Sequence, residues 1–309
     1  MSGRPTWHPP RAGPVLALVI ALGLSMPGAG FAATVALIKS GPLAPYEQAA
    51  AGFSSAYLDP VSAFMLDEAD PAGLLRRIEA TRPAVVVAVG LKAALFARDR
   101  LPRVPLVFCV VPNYQRFDLT GGSITGVSAD VPPERDLAAL RSALPGVKRV
   151  GLLFGRASGA ALARRARAAA DAAGITLVEA PVADLSDLQR VASDLAGRVD
   201  ALWLPADPTV ATPEVFRALL DLSLAQRKPL LVFSESLVRS GALVATSPDY
   251  AWMGAQAAGI ARRIRSGERA GDIAVLPLRR TRVVFNPATA RALGCVVPSA
   301  ADSGIEMLP

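Results

Sequence analysis

Two carboxylates hold most of the chemistry this sequence offers. Asp207 stands in "LPADPTV", where the apolar run 201–204 stops at Pro205 and a helical pattern starts after Thr212 and Pro213. Glu235 stands in "VFSESL", just past a second apolar run that begins at Pro229. An acid on the lip between a buried strand and the next helix has three readings: catalytic acid, hook for a ligand, or turn residue. As a pair, the two would suit glycosidase-like hydrolysis if they stood about 5 to 10 Å apart.

The rest of the composition narrows the choice. The single histidine, His8, lies in a stretch that reads as an export leader, residues 1–32. Arg4 and Arg11 supply its positive start, "PVLALVIALGLSM" its uncharged apolar centre, and Gly30 and Ala32 the small residues of a cleavage point. That run is shorter than the ~20 residues of a spanning helix, and no cysteine lies near it for lipid attachment. Once the leader is removed no imidazole remains, which excludes Ser-His-Asp and Cys-His nucleophiles and histidine metal sites. The formal charge of +7 falls by two with the leader's arginines.

C-x-x-C, a phosphate loop ending in Gly-Lys, and G-x-S-x-G are all missing; "GSITG" and "GRASG" have the wrong spacing. The basic groups Arg164, Arg165, Arg167 and Arg279, Arg280, Arg282 read as solvated faces, with no nucleic-acid partner. No cofactor and no metal is expected. Cys109 and Cys295 sit in apolar runs and read as two buried free thiols, although an oxidising compartment would permit a disulfide.

The elements that must position Asp207 and Glu235 follow a clear rhythm. Apolar strand-like runs start near Thr34, Val61, Ala84 and Pro105, and after "SITGVSAD" again at Arg149, Ile175, Ala201 and Pro229. Helical stretches lie between them. In "PERDLAALRSAL", Leu137, Leu140 and Leu144 form one stripe; Met253, Ala257, Ile260 and Ile264 form another, with Gly267 as its stop. Ser186 reads as the N-cap of the helix that follows it, and Trp203 and Trp252 as packing residues. Strands alternating with helices indicate α/β folding with parallel sheets. Four units, a break and four more predict two Rossmann-like lobes, with 126–131 and 243–249 as extended crossovers. Ligands of such sheets settle at the carboxyl ends of the strands, so facing lobes can line one cleft. There, helix N-termini offer N–H groups to an anion, Asp207 and Glu235 can face an ammonium group, and Tyr46, Tyr114 and Tyr250 offer amphipathic rings.

The segments "AVVVAVG", "VPLVFCVV", "GGSITGVSAD", "LPGVKRVGLLF", "VDALWLPADPTV", "SGALVATSPDYAWMGAQAAGIARRIRSGE" and "VVFNPATARALGCVVP" together resemble the ABC transporter substrate-binding family typified by tryptophan- and phenylalanine-binding proteins. The resemblance implies a type I periplasmic-binding-protein fold hinged by three crossovers, and a periplasmic monomer that closes on a small molecule and delivers it to an ABC transporter permease. The lobes are expected at 33–127 plus 247–285 and at 128–246, with 286–309 a tail packed near the hinge. Expected ligand-binding residues are Ser40, Tyr46, Gly90, Asn113 and Tyr114 from the first lobe, Ser158, Asp207, Thr209 and Glu235 from the second, and Tyr250 near a crossover. Asp207, Gly241 and Asp249–Tyr250 keep the family pattern. Leu91 and Lys92 after Gly90, and Pro112, Asn113 and Tyr114 after the fourth strand, depart from it. An amino acid or related carboxylate is one candidate ligand. A sensor module for a signalling receptor and a histidine-independent hydrolase are the alternative functions.

Overall fold

Runs that are apolar at every position suit strands covered on both faces, and the computed structural model buries 85–89 and 106–111 throughout as strands. It describes residues 1, 3, 35–299 and 304–308, so the leader and its cleavage point lie outside the described residues. Residues 33–309 form one compact unit. Its first sheet holds β1 (Val35–Lys39), β2 (Val61–Met65), β3 (Val85–Val89), β4 (Leu106–Val111) and β5 (Ile124–Ser128), all parallel, in the order β2-β1-β3-β4-β5. One face buries Val35, Leu37, Val85 and Val87 under α1 (Ala44–Ala56) and α9 (Tyr250–Arg265). The other face buries Ala36, Ile38, Val86 and Phe108 with α2 (Pro71–Ala80) and α3 (Leu91–Arg100).

The second sheet repeats the plan. β6 (Arg149–Gly155), β7 (Thr176–Val182), β8 (Ala201–Trp203), β9 (Leu230–Val232) and β10 (Val244–Pro248) are parallel neighbours in the order β7-β6-β8-β9-β10. This is the first sheet's order again, and in each the order reverses beside the first strand. Around it pack α4 (Pro133–Ala143), α5 (Ala160–Ala173), α6 (Leu188–Arg198), α7 (Pro213–Gln226) and α8 (Glu235–Arg239). Leu137 and Leu140 of the expected stripe are fully buried, and so is Trp203 at 1% exposure.

Two strands extend this sheet beyond the sequence expectation. β11 (Thr281–Phe285) runs antiparallel to β10, and β12 (Ile305–Met307) runs parallel to β11. Residues 247–248 and 281–285, expected in the first lobe, therefore lie in the second sheet. So does the 286–309 tail through β12, with Ala290 and Leu293 of α10 (Pro287–Leu293) buried in the second lobe's core. The reason is pairing: β10 would otherwise be an open edge, and β11 supplies the missing hydrogen bonds.

The chain crosses between lobes three times: at 129–132, at Asp249, and near 277–280, where Leu276 still bridges to Val127 of β5. The segments read as crossovers thus take in the end of β5 and the whole of β10. α6 starts at Leu188 with Asp187, not Ser186, at its N-cap, because a single 3₁₀ turn over Leu185–Asp187 precedes it. Cys109 and Cys295 are free; Cys109 is buried, which pushes its thiol up to about 12, while Cys295 is only half-buried.

Candidate functional site

Both reversals of strand order point their carboxyl ends at the gap between the lobes. A cavity of about 230 Å3 opens there. The first lobe gives it Val110, Pro112 and Asn113, the crossings give Ala129, Asp130, Val131 and Tyr250, and the second lobe gives Asp136, Ser158, Leu162, Arg165, Asp207 and Phe233 among others.

Asp207 is the second lobe's organising acid. It is 3% exposed, and its carboxylate accepts from the Gly155 N–H at 2.9 Å, the Ser158 hydroxyl at 2.5 Å and the Thr209 N–H at 3.0 Å. The last of these is an Asx-type contact that shapes the turn after β8; the first ties the end of β6 to it. Ser158 also shares a 2.7 Å hydrogen bond with the Thr209 hydroxyl. Gly159 is the residue that leaves room for this carboxylate, since a Cβ there would collide with Oδ2. Asp207 therefore faces the cavity while its oxygens are engaged within the fold.

On the first-lobe side, β4 is distorted where it meets the cavity. Its register slips between Phe108 and Val111, and Val110 takes φ +58°, a costly left-handed conformation for a β-branched residue. The bulge turns Val110 and Pro112 into the cavity wall. Asn113 follows at φ +52°, which its short amide tolerates; its N–H donates to Asp130 Oδ1 at 2.6 Å, and its side chain donates to the Ala206 carbonyl of the second lobe at 3.1 Å. Asp130 Oδ2 accepts from the Ser128 hydroxyl at 2.9 Å, so this acid too is engaged.

Of the ten residues singled out in the sequence, Asn113, Ser158, Asp207 and Tyr250 line the cavity, and Thr209 joins through Ser158. Ser40, Tyr46 and Gly90 form a separate first-lobe cluster. Gly90 has φ +93°, and a Cβ there would stand 2.6 Å from Ser40 Oγ and 2.7 Å from the Tyr46 ring. Ser40 Oγ accepts from the Ala93 N–H at the start of α3. Tyr46 reaches toward Tyr250, whose hydroxyl is pushed up first by burial and further by Tyr46 and Glu235, against a hydrogen bond from Ser247. Tyr114 packs on Phe108 with ring centres 5.1 Å apart and stays out of the cavity wall. Glu235 is taken up by Arg239, at 2.6 and 3.0 Å, with Arg282 at 4.0 Å.

Most other wall residues escaped the sequence reading, and four of them carry charge or an aromatic ring. Asp136 precedes Leu137, Leu140 and Ala143 on the buried side of α4, and an acid on an apolar helix face was the available signal. Burial pushes its carboxyl up to about 8, helped by Glu134 and opposed by the Thr246 hydroxyl. Arg165 falls one turn beyond Leu162 on the cavity side of α5; it is exposed and makes no ion pair or hydrogen bond among the described residues. Asp130 stood in the quoted "GVSAD", and Phe233 in an apolar run that gave no sign of facing a cavity.

Residues 63–301 match the family model described as ABC transporter substrate binding protein. The chain belongs to that family. A tyrosine-binding protein of Clostridioides difficile strain R20291 is 22% identical over 219 residues, 68% of this chain and 62% of that protein, so the match spans less than two thirds of the relative's length. Two solved structures share the type I periplasmic-binding-protein fold. One is an ABC domain in complex with L-Trp from Streptococcus pneumonia, with TM-score 0.65, 19% identity, and coverage of 89% of this chain and 99% of that one. The other is the ligand-free, open structure of a substrate-binding protein with adhesive properties from Clostridium difficile, with TM-score 0.73, 18% identity, and coverage of 89% and 98%. The family is one of substrate-binding proteins. No described helix is long and apolar enough to cross a membrane, and no described cluster of His, Cys, Asp and Glu is suited to hold a metal ion.

Proposed function

We infer that this protein captures an amino acid between its lobes and hands it, chemically unchanged, to an ABC importer. The observation that carries the reading is the interlobe cavity, walled from both lobes and all three kinds of segment: strand ends, crossings and helix faces. At about 230 Å3 it lies below the range of roughly 300–1,000 Å3 common for drug-sized ligands, which favours a small solute. Val110, Leu162, Phe233 and Tyr250 offer an apolar slot, and Asp136 and Arg165 offer opposite charges. The tyrosine-binding relative and the L-Trp complex support an aromatic amino acid as the first candidate. The protein acts outside the cytoplasm after export, as a monomer. Ligand stabilises the closed arrangement, and the permease reads that state.

A thermal-shift screen of the common amino acids tests this. A ligand at 100 times its Kd adds about 2.7 kcal/mol of stability, enough for a clear shift. Absence of a shift with every amino acid would overturn the ligand class. Uptake of the same labelled amino acid should fall in cells lacking this chain; unchanged uptake would overturn delivery to an importer.

A further inference from the structure

Three acids line the cavity, and two are already engaged. Asp207 has three donors and Asp130 has two. Asp136 differs. It is 8% exposed, it opens on the cavity, and the group facing it is the Thr246 hydroxyl. That contact falls short of a well-directed hydrogen bond, leaving Thr246, 1% exposed, without a full partner. The elements packed on α4 bring little charge. Its own Glu134 adds repulsion, and Arg135 turns away to the Arg279 carbonyl at 3.3 Å. β10 has no titratable side chain, and Arg282 of β11 is held by Glu306. On α5, Arg167 is paired with Glu179, while Arg165 stands unpaired at the cavity. Across the space are Asp130, Asp207 and Tyr250.

We propose that Asp136 receives the ammonium group of the ligand and gives up its own proton to solvent as it does so, with Arg165 holding the ligand carboxylate. The proposal rests on the amino-acid reading above. No bond of the ligand changes: the O–H of the carboxyl is lost, the proton goes to the buffer, and an ion pair forms in its place. With burial holding the empty carboxyl near 8, the group is largely protonated at neutral pH. A cation bound beside it favours the anion, so binding and deprotonation are linked. Affinity then rises with pH up to about 8, by at most about tenfold per unit, and levels off above.

Isothermal titration of the wild-type protein with L-tyrosine and L-tryptophan, in buffers of differing ionisation enthalpy near pH 6 and 7, measures the proton directly. Release of close to one proton per ligand is expected. The deaminated probe 3-(4-hydroxyphenyl)propanoate should bind without release. Asp136→Asn should give pH-independent affinity and no release. Thr246→Val, which removes the hydroxyl favouring the anion, should move the midpoint to higher pH. Arg165→Ala should weaken L-tyrosine at least tenfold and leave tyramine, which has no carboxylate, unaffected. Amino-acid binding with no proton release, or release that survives Asp136→Asn, overturns the proposal while leaving the proposed function standing. Affinity that rises as pH falls also overturns it, since a neutral carboxyl would then be the donor. Absence of any amino-acid binding sinks both.

Discussion

The side-chain amide of Asn113 donates to the main-chain carbonyl of Ala206 at 3.1 Å, joining the two lobes across the cavity. The same residue's backbone N–H donates to Asp130 in the first crossing, so one residue links both lobes and the hinge. Asn113→Gly keeps the left-handed backbone and deletes the amide. A neutral hydrogen bond contributes about 1 kcal/mol, so the closed-to-open ratio should drop about fivefold. Small-angle scattering, or fluorescence transfer between labelled lobes, reads the change; an unaltered closed fraction would deny this contact a latching role.

Asp207→Ala removes three acceptor contacts, one of them to the buried N–H of Gly155 at the end of β6. Leaving such donors unpaired should lower unfolding stability by roughly 2–4 kcal/mol in denaturant titrations. Asp207→Asn, which keeps one acceptor oxygen, should recover part of that. A variant of undiminished stability that has lost its ligand would restore Asp207 to the role of ligand hook.

Gly90→Ala meets two obstacles together: φ +93° and a Cβ only 2.6–2.7 Å from Ser40 Oγ and the Tyr46 ring. The expected cost is about 1–3 kcal/mol, with Tyr46 displaced. A shift in tyrosine fluorescence should accompany the lower melting temperature. Normal stability would show that the cluster yields easily.

The Asp136 carboxyl stands at about 8 in the folded protein against an ordinary value of 3.8. Between those two pH values the native state holds the proton that the unfolded chain has lost, so stability falls as pH rises from about 4 to 8 and is flat beyond. Asp136→Asn removes that slope. Near pH 7 it should raise stability by about 1–3 kcal/mol in the absence of ligand, with little gain near pH 4. Melting curves across that range provide the check, and equal gains at both ends would exclude ionisation as the cause.

Inner strands such as β3 and β4 were legible because burial on both faces demands unbroken apolar runs, as in "VVVAV" of β3, whereas the partly exposed outer strands β2 and β7 were legible from their place in the strand–helix alternation. β5, β10 and β11 were not, since Thr125, Ser128, Thr246, Ser247 and Arg282 interrupt their runs where the chain prepares to cross. The site was legible at Asp207 and Ser158, where a polar residue follows a buried strand. It was hidden at Asp136 and Arg165, whose helical stretches looked ordinary. Glu235 looked like Asp207 in sequence, yet an arginine four residues on neutralises it. Helical periodicity places a face, but which face meets a cleft depends on how the second lobe docks, and no local pattern encodes that.

Gly52 and Gly254 let the backbones of α1 and α9 touch: a Cβ on the first would strike the Ala251 carbonyl, and one on the second the Ala49 carbonyl. α9 is thereby fused to the first lobe from its opening turn, while β10 belongs to the second, and a single residue, Asp249, separates them. That joint has no slack, so at this crossing any turn of one lobe against the other must be taken up by the backbone torsions of Asp249 and its immediate neighbours.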